Sequence, residues 1–98
     1  MSPAEICSQI ESATRRFDEG YSHFLRKTPL WKLPGAALGL RCAEVWLKLE
    51  HLQVGGSFKA RGMLNRLLSH PIPAAGVIVA SGGNAGIATA AAARALGV

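Results

Sequence analysis

Ninety-eight residues make at most one small domain, since domains centre on about 100–150 residues. An apolar share of 49% against 17% charged excludes a disordered tail, and it is lightly charged for a domain solvating its whole surface. Such a chain hides apolar surface in a partner or is part of something longer. The net charge of +5 is dispersed and aromatics are only 6%, so a nucleic-acid platform is excluded and a small anionic ligand fits better.

The first predicted element is a helix. Ser2 is placed to cap it, Pro3 suits its first position, and Glu5 completes a Ser-x-x-Glu capping box. Ile6, Ile10, Ala13 and Phe17 follow at helical spacing, and Gly20 ends the run. The opposite face is polar, so this helix is expected to lie on a body. Arg26 to Trp31 is expected to be extended, because Pro29 disfavours helix at its predecessor. Pro34-Gly35 marks a turn, and Val45 to Glu50 alternates as a strand with Val45, Leu47 and Leu49 on one face.

The loop from His51 to Gly56 feeds a helix from Phe58 to about Ser69, capped by Ser57. Met63, Leu64, Leu67 and Leu68 form its apolar stripe, and Pro71 and Pro73 close it. Gly76 to Ser81 is a continuous apolar run of the kind found in parallel strands covered on both faces. Gly82-Gly83 turns the chain into an alanine-rich helix from about Asn84 to Leu96, ended by Gly97. Helix, strand, strand, helix, strand, helix points to α/β layering.

Cys7 and Cys42 have no CxxC spacing, and His23, His51 and His70 are scattered, so no metal site is expected. The two cysteines are read as free thiols, buried or incidental, in a reducing compartment. The start Met1-Ser2-Pro3-Ala4-Glu5 lacks the order of a signal peptide, which points to the cytoplasm. Leu67 to Ala93 carries no charge, but Pro71, Pro73 and Ser81-Gly82-Gly83-Asn84 exclude a membrane helix.

Two segments carry chemistry. In Gly55-Gly56-Ser57-Phe58-Lys59-Ala60-Arg61-Gly62, Lys59 falls in the first turn of a helix, where the backbone field disfavours a cation. Such a field, with burial, favours the neutral amine that Schiff-base chemistry needs. A lysine and an arginine that simply reach solvent is the plain alternative. In Ala80-Ser81-Gly82-Gly83-Asn84-Ala85-Gly86, a glycine-rich turn opens a helix and offers backbone N–H groups to an anion. A plain turn is the alternative there, and the spacing is not that of a dinucleotide fingerprint.

Thr28-Pro29-Leu30, Leu47-Lys48-Leu49-Glu50, Gly56-Ser57-Phe58-Lys59-Ala60-Arg61-Gly62 and Ser81-Gly82-Gly83-Asn84 occur in this order. Together they resemble the N-terminal part of the fold-type II pyridoxal-phosphate enzymes, nearest to the serine/threonine dehydratases (threonine deaminases). The resemblance covers nearly all of residues 25–98. It implies an α/β fold with a layered open sheet and flanking helices, tryptophan synthase β-like. It further implies pyridoxal 5'-phosphate held as a Schiff base by Lys59, with Phe58 beside the pyridine ring and Asn84 bonded to the ring hydroxyl. Ser81, Gly82, Gly83 and Ala85 are implied to bind the substrate carboxylate.

The implied reaction is loss of water and ammonia from L-serine or L-threonine to give a 2-oxo acid. The resemblance makes Lys59 the expected catalytic residue: displaced by the incoming amino acid, its amine is implied to take the α-proton. Family members with histidine after the asparagine differ from this chain, which has Ala85. Racemases of the family carry a catalytic serine at the position of Gly82, so racemisation by that route is not expected. The resemblance also implies a longer enzyme: residues 1–75 belong to the large domain and 76–98 form the first strand and helix of the small one. The phosphate-cradling loop and the residue facing the pyridine nitrogen then lie downstream of this chain, which alone is expected to be inactive. A homo-oligomer, expected to be a dimer, that acts on a small hydroxy amino acid completes this reading. A non-catalytic α/β module binding small anions or partners, and another enzyme of the same fold type such as threonine synthase, remain alternatives.

Overall fold

The computed structural model describes residues 1–98. It contains helix α1 (Pro3–Gly20), strands β1 (Leu30–Pro34) and β2 (Glu44–Lys48), and helices α2 (Lys59–Ser69) and α3 (Asn84–Leu96). Short 3₁₀ turns over Gly35–Leu38, Glu50–Leu52 and Val54–Gly56 link them. This is a small α/β unit whose sheet has two strands.

α1 begins as its sequence dictates. Ser2 Oγ accepts the Glu5 N–H at 3.2 Å and the Glu5 carboxylate returns to the Ser2 N–H, closing the capping box. Only its C-terminal half is docked: Phe17 packs on the core, and Arg16 donates through Nε and Nη2 to Asn65 Oδ1 of α2 at 3.1 and 2.7 Å. Ile6 and Ile10 of the expected buried stripe are exposed, so half of this helix covers nothing.

β1 and β2 pair antiparallel, with Leu30 opposite Lys48 and Pro34 opposite Glu44. The alternation in β2 is as expected, Val45 and Leu47 being half-buried between exposed Glu44, Trp46 and Lys48. Gly35 is required where the chain turns, since a Cβ there would lie 1.9 Å from Cys42 O. Cys7 and Cys42 are free and exposed, not buried.

Leu25, Ala60, Leu64 and Ala92 form the buried core, flanked by Phe17, Tyr21, Phe24, Val54, Leu67, Leu68 and Leu96. Alanines at the contact face let α3 approach α2 closely: Ala60 and Ala92 are fully buried and Ala88 nearly so. Gly97 ends α3 in the left-handed conformation, φ 74°, with the Val98 N–H bonded back to Ala93 O at 2.9 Å.

One expected element is missing. Gly76 to Ser81 forms no strand, because no neighbouring strand within these residues offers a ladder. Ile78 is 98% exposed, and Val77 and Val79 are 39% and 38% exposed. A layered sheet is therefore not assembled here. The accessible surface is 6972 Å² at a mass of 10.3 kDa, against about 5,400 Å² for a compact monomer of that mass. The radius of gyration of 16.1 Å likewise exceeds the roughly 13 Å of a compact 100-residue domain. No helix is long and apolar enough to cross a membrane.

Candidate functional site

The start of α2 is built by a glycine turn and a serine. Gly55 and Gly56 both have positive φ, 76° and 78°, which turns the chain sharply after β2. Ser57 is extended, and its Oγ accepts the Lys59 N–H at 3.3 Å, the expected cap. Phe58 already has helical backbone angles, so the helix effectively starts there. Lys59 is half-buried, with Nζ 5.4 Å from the centre of the exposed Phe58 ring and no carboxylate partner. No acidic residue occupies this first turn.

The start of α3 is open. No side chain caps it, and its first backbone bond runs from the Ile87 N–H to Gly83 O at 3.1 Å. The amides of Asn84, Ala85 and Gly86 therefore lack a backbone acceptor, as helix N-termini do without a cap. Ser81 Oγ accepts the Gly83 N–H at 3.2 Å. Gly82 and Gly83 are exposed, and a Cβ on either meets nothing within 4 Å. Gly86 is different: a Cβ there would lie 2.8 Å from Ser81 O, so glycine is needed for the helix to pass its own entry loop.

These two helix starts are neighbours. A Cβ on Gly55 would come within 3.3 Å of Ile87 Cγ2 in the first turn of α3. The turn that leads into α2, four residues before Lys59, thus lies against the first turn of α3, three residues after Asn84. The open N–H groups are those of α3, since Ser57 Oγ already takes the Lys59 N–H at the start of α2, and an uncapped helix start suits a negatively charged ligand. An apolar cavity of about 350 Å³ lies elsewhere, lined among others by Met63, Leu67, Val77, Val79 and Thr89, and neither Lys59 nor Asn84 lines it.

A polar network behind Lys59 was not anticipated from sequence. Glu50, just past β2, takes the Arg61 guanidinium on Oε1, and its Oε2 accepts from Thr28 Oγ1 at 2.9 Å and Gln53 Nε2 at 3.4 Å. Gln53 is 1% exposed; its Oε1 accepts the N–H groups of Arg26 and Val54 at 2.8 and 2.9 Å, and its Nε2 donates to Arg26 O at 2.8 Å. Lys48 Nζ donates to Thr28 O at 2.6 Å. The Arg61 guanidinium holds the Glu50 carboxyl below the usual carboxylate range, against the opposing push of burial, with Thr28 and Gln53 adding to the lowering. The available signal was Glu50 itself: it is the last acidic residue, and four Lys/Arg follow it.

The donor set suits pyridoxal 5'-phosphate. Lys59 offers an amine free of carboxylate partners for an aldehyde, the Asn84 side chain offers an amide, and the open N–H groups of α3 accept an anion. Comparison with known proteins agrees. The family model described as "Pyridoxal-phosphate dependent enzyme" matches residues 21–98. The chain is similar to an L-threonine dehydratase, catabolic TdcB, of Staphylococcus aureus strain N315, 42% identical over 77 residues. It is similar to that of strain USA300 at 39% over 77 residues. Each match covers 76% of this chain and 22% of the relative, so the chain spans about a fifth of the length of the curated relatives it matches. No solved structure matches. With the match extending over residues 21–98, the chain belongs to the pyridoxal-phosphate dependent enzyme family.

Proposed function

We propose that this chain is the cofactor-lysine part of a lyase that removes water and ammonia from L-serine or L-threonine, releasing a 2-oxo acid. The observation that supports the reading is the packing of the Gly55 turn, which leads into the helix of Lys59, against Ile87 in the first turn of the helix of Asn84. The likeness to L-threonine dehydratases supports the substrate class.

In this reading Lys59 Nζ would hold the cofactor through its aldehyde and, once released by the amino group of the incoming substrate, would as a free amine take the proton from the substrate α-carbon. Phe58 packs beside the pyridine ring, and the Asn84 side chain donates to the ring hydroxyl. Ser81 and the backbone of Gly82, Gly83 and Ala85 would hold the substrate carboxylate and so fix the α-carbon for reaction. Pyridoxal 5'-phosphate supplies the electron sink for the negative charge left at the α-carbon. The open amides of α3 favour the substrate carboxylate by charge, and the short Ala85 side chain leaves room beside them.

Residues 1–75 are assigned to the larger cofactor-binding domain and 76–98 to the first strand and helix of a second one, within a layered open sheet. Support comes from Pro71 and Pro73, which break the chain between α2 and the exposed Val77–Val79 run, and from the absence of any strand partner for that run. A cytoplasmic homodimer belongs to the same proposal, and the uncovered apolar surface supports association. The test is to supply the complete protein that carries these residues with pyridoxal 5'-phosphate and L-threonine or L-serine, then measure 2-oxo acid. Steady release, lost in Lys59→Ala, is the expected result. Cofactor binding without 2-oxo acid from either amino acid contradicts the proposed reaction and favours another enzyme of the family. Absence of cofactor binding favours a plain anion-binding module.

A further inference from the structure

The first turn of α2 carries two cations, Lys59 and Arg61, at the end of the helix where the backbone field is already positive, and no acid of its own. Glu50 supplies the missing counter-charge from the far side of the glycine turn. Its carboxylate receives Arg61 Nε on one oxygen and, at 3.4 Å, Arg61 Nη2 on the other. A planar guanidinium gripped along its edge resists rotation as well as withdrawal.

The carboxylate is itself immobilised. Thr28, 4% exposed, and Gln53 hold Oε2, and Gln53 is locked to the backbone of Arg26 and Val54. No buried side-chain polar atom in the molecule is left without a partner. Three stretches of chain, at residues 26–28, 50–54 and 61, are thereby tied into one unit. Arg61 lies two residues after Lys59, about 200° around the helix, so the anchor and the amine project from opposite sides. Lys59 Nζ has no carboxylate to direct it, only the Phe58 ring. Its direction is set by the backbone that carries it, and that backbone is held from behind by Glu50.

We propose that Glu50 and Arg61 are positioning residues that fix the direction in which Lys59 leaves the start of α2; this rests on the reading of Lys59 as the cofactor lysine. The experiment uses the complete protein, cofactor-free and loaded with pyridoxal 5'-phosphate, as wild type, Glu50→Gln, Arg61→Lys and Thr28→Val. Thr28→Val removes one bond to the carboxylate at nearly constant volume and serves if the charge variants fail to fold. In the cofactor-free protein, amide exchange across residues 57–64 is expected to accelerate about tenfold in each variant that folds, the mark of a loosened segment. In the loaded protein, kcat per bound cofactor is expected to fall about tenfold or more while KM stays within about threefold, as misdirection of a reacting group predicts. The visible circular dichroism per bound cofactor changes with it. Arg61→Lys keeps the charge but loses the two-point grip, and is expected to fail like Glu50→Gln.

A merely structural role lowers the melting temperature and the cofactor content but leaves kcat and visible dichroism per bound cofactor unchanged; that result overturns the proposal. Unchanged exchange across 57–64 overturns it as well. Failure of the underlying reading has its own signature: borohydride then fixes the cofactor to a lysine other than Lys59 in the wild type, whatever the exchange rates show.

Discussion

Gly55 and Ile87 touch across the junction of the two helix starts, so closely that a Cβ on Gly55 would lie 3.3 Å from Ile87 Cγ2. At φ 76° the same position already disfavours any side chain, by about 1–2 kcal/mol. Both effects act in Gly55→Ala. We expect the complete protein to melt several degrees lower, since about 1 kcal/mol moves the midpoint of a domain by about 2–8 °C. Lys59 and Asn84 are also expected to be pushed apart, seen as weaker cofactor binding. An unchanged melting temperature would show that the junction yields without cost.

Gly86 and Gly82 give a contrasting pair. Gly86→Ala places a methyl 2.8 Å from Ser81 O, so the loop that precedes α3 must move. In Gly82→Ser, at a position with no positive φ, the Cβ of the serine meets nothing within 4 Å. The first is expected to destabilise by about 1–3 kcal/mol, the ordinary cost of overpacking, and to raise KM for the amino acid. The second is expected to leave the melting temperature nearly unchanged. Equal behaviour of the two in thermal melts and substrate titrations contradicts the placement of this loop.

Glu50 gives the molecule an acid limit. Its carboxyl is held below the usual carboxylate range in the folded state, chiefly by Arg61. A carboxyl lowered in this way adds stability that is fully present above its ordinary value, about 4.3, and is lost as pH falls through the lowered folded value. Urea midpoints of the wild type should therefore drop with pH more steeply in this window than those of Glu50→Gln. Parallel curves for the two proteins would remove Glu50 from the acid transition.

Much of this arrangement is legible in the residues. Ser2-Pro3-Ala4-Glu5 specifies its capping box locally, and Gly97 specifies the end of α3, because caps depend on neighbours three or four residues away. Ser57 was legible as the cap of α2 for the same reason. Gly76 to Ser81 has the composition of a strand, but a strand needs a partner, which local sequence does not provide. Sequence alone allows Arg61 to be a plain surface charge, because its partner sits eleven residues earlier, across a loop that turns at positive φ at Gly55 and Gly56. Ile6 and Ile10 showed the right spacing for burial, yet spacing names a face and not what covers it.

The exposed run gives a prediction for residues 1–98 expressed alone. Ile78 at 98% exposure, with Val77 and Val79 beside it, presents unpaired backbone and apolar side chains to solvent. The isolated chain is expected to self-associate, bind a hydrophobic dye and melt without a cooperative transition. Ile78→Lys should reduce the association without restoring cooperativity. A sharp melt of a monomeric 1–98 chain would refute this.

The central claim is that Lys59 carries the cofactor, and borohydride reduction of the complete protein with peptide mapping tests it most directly. Lys48 is the internal control, since its Nζ is engaged by Thr28 O at 2.6 Å on the exposed side of β2. The account predicts one reduced adduct, on Lys59, lost in Lys59→Ala together with 2-oxo acid release and retained in Lys48→Ala. An adduct mapped to Lys48, or wild-type turnover in Lys59→Ala, contradicts it.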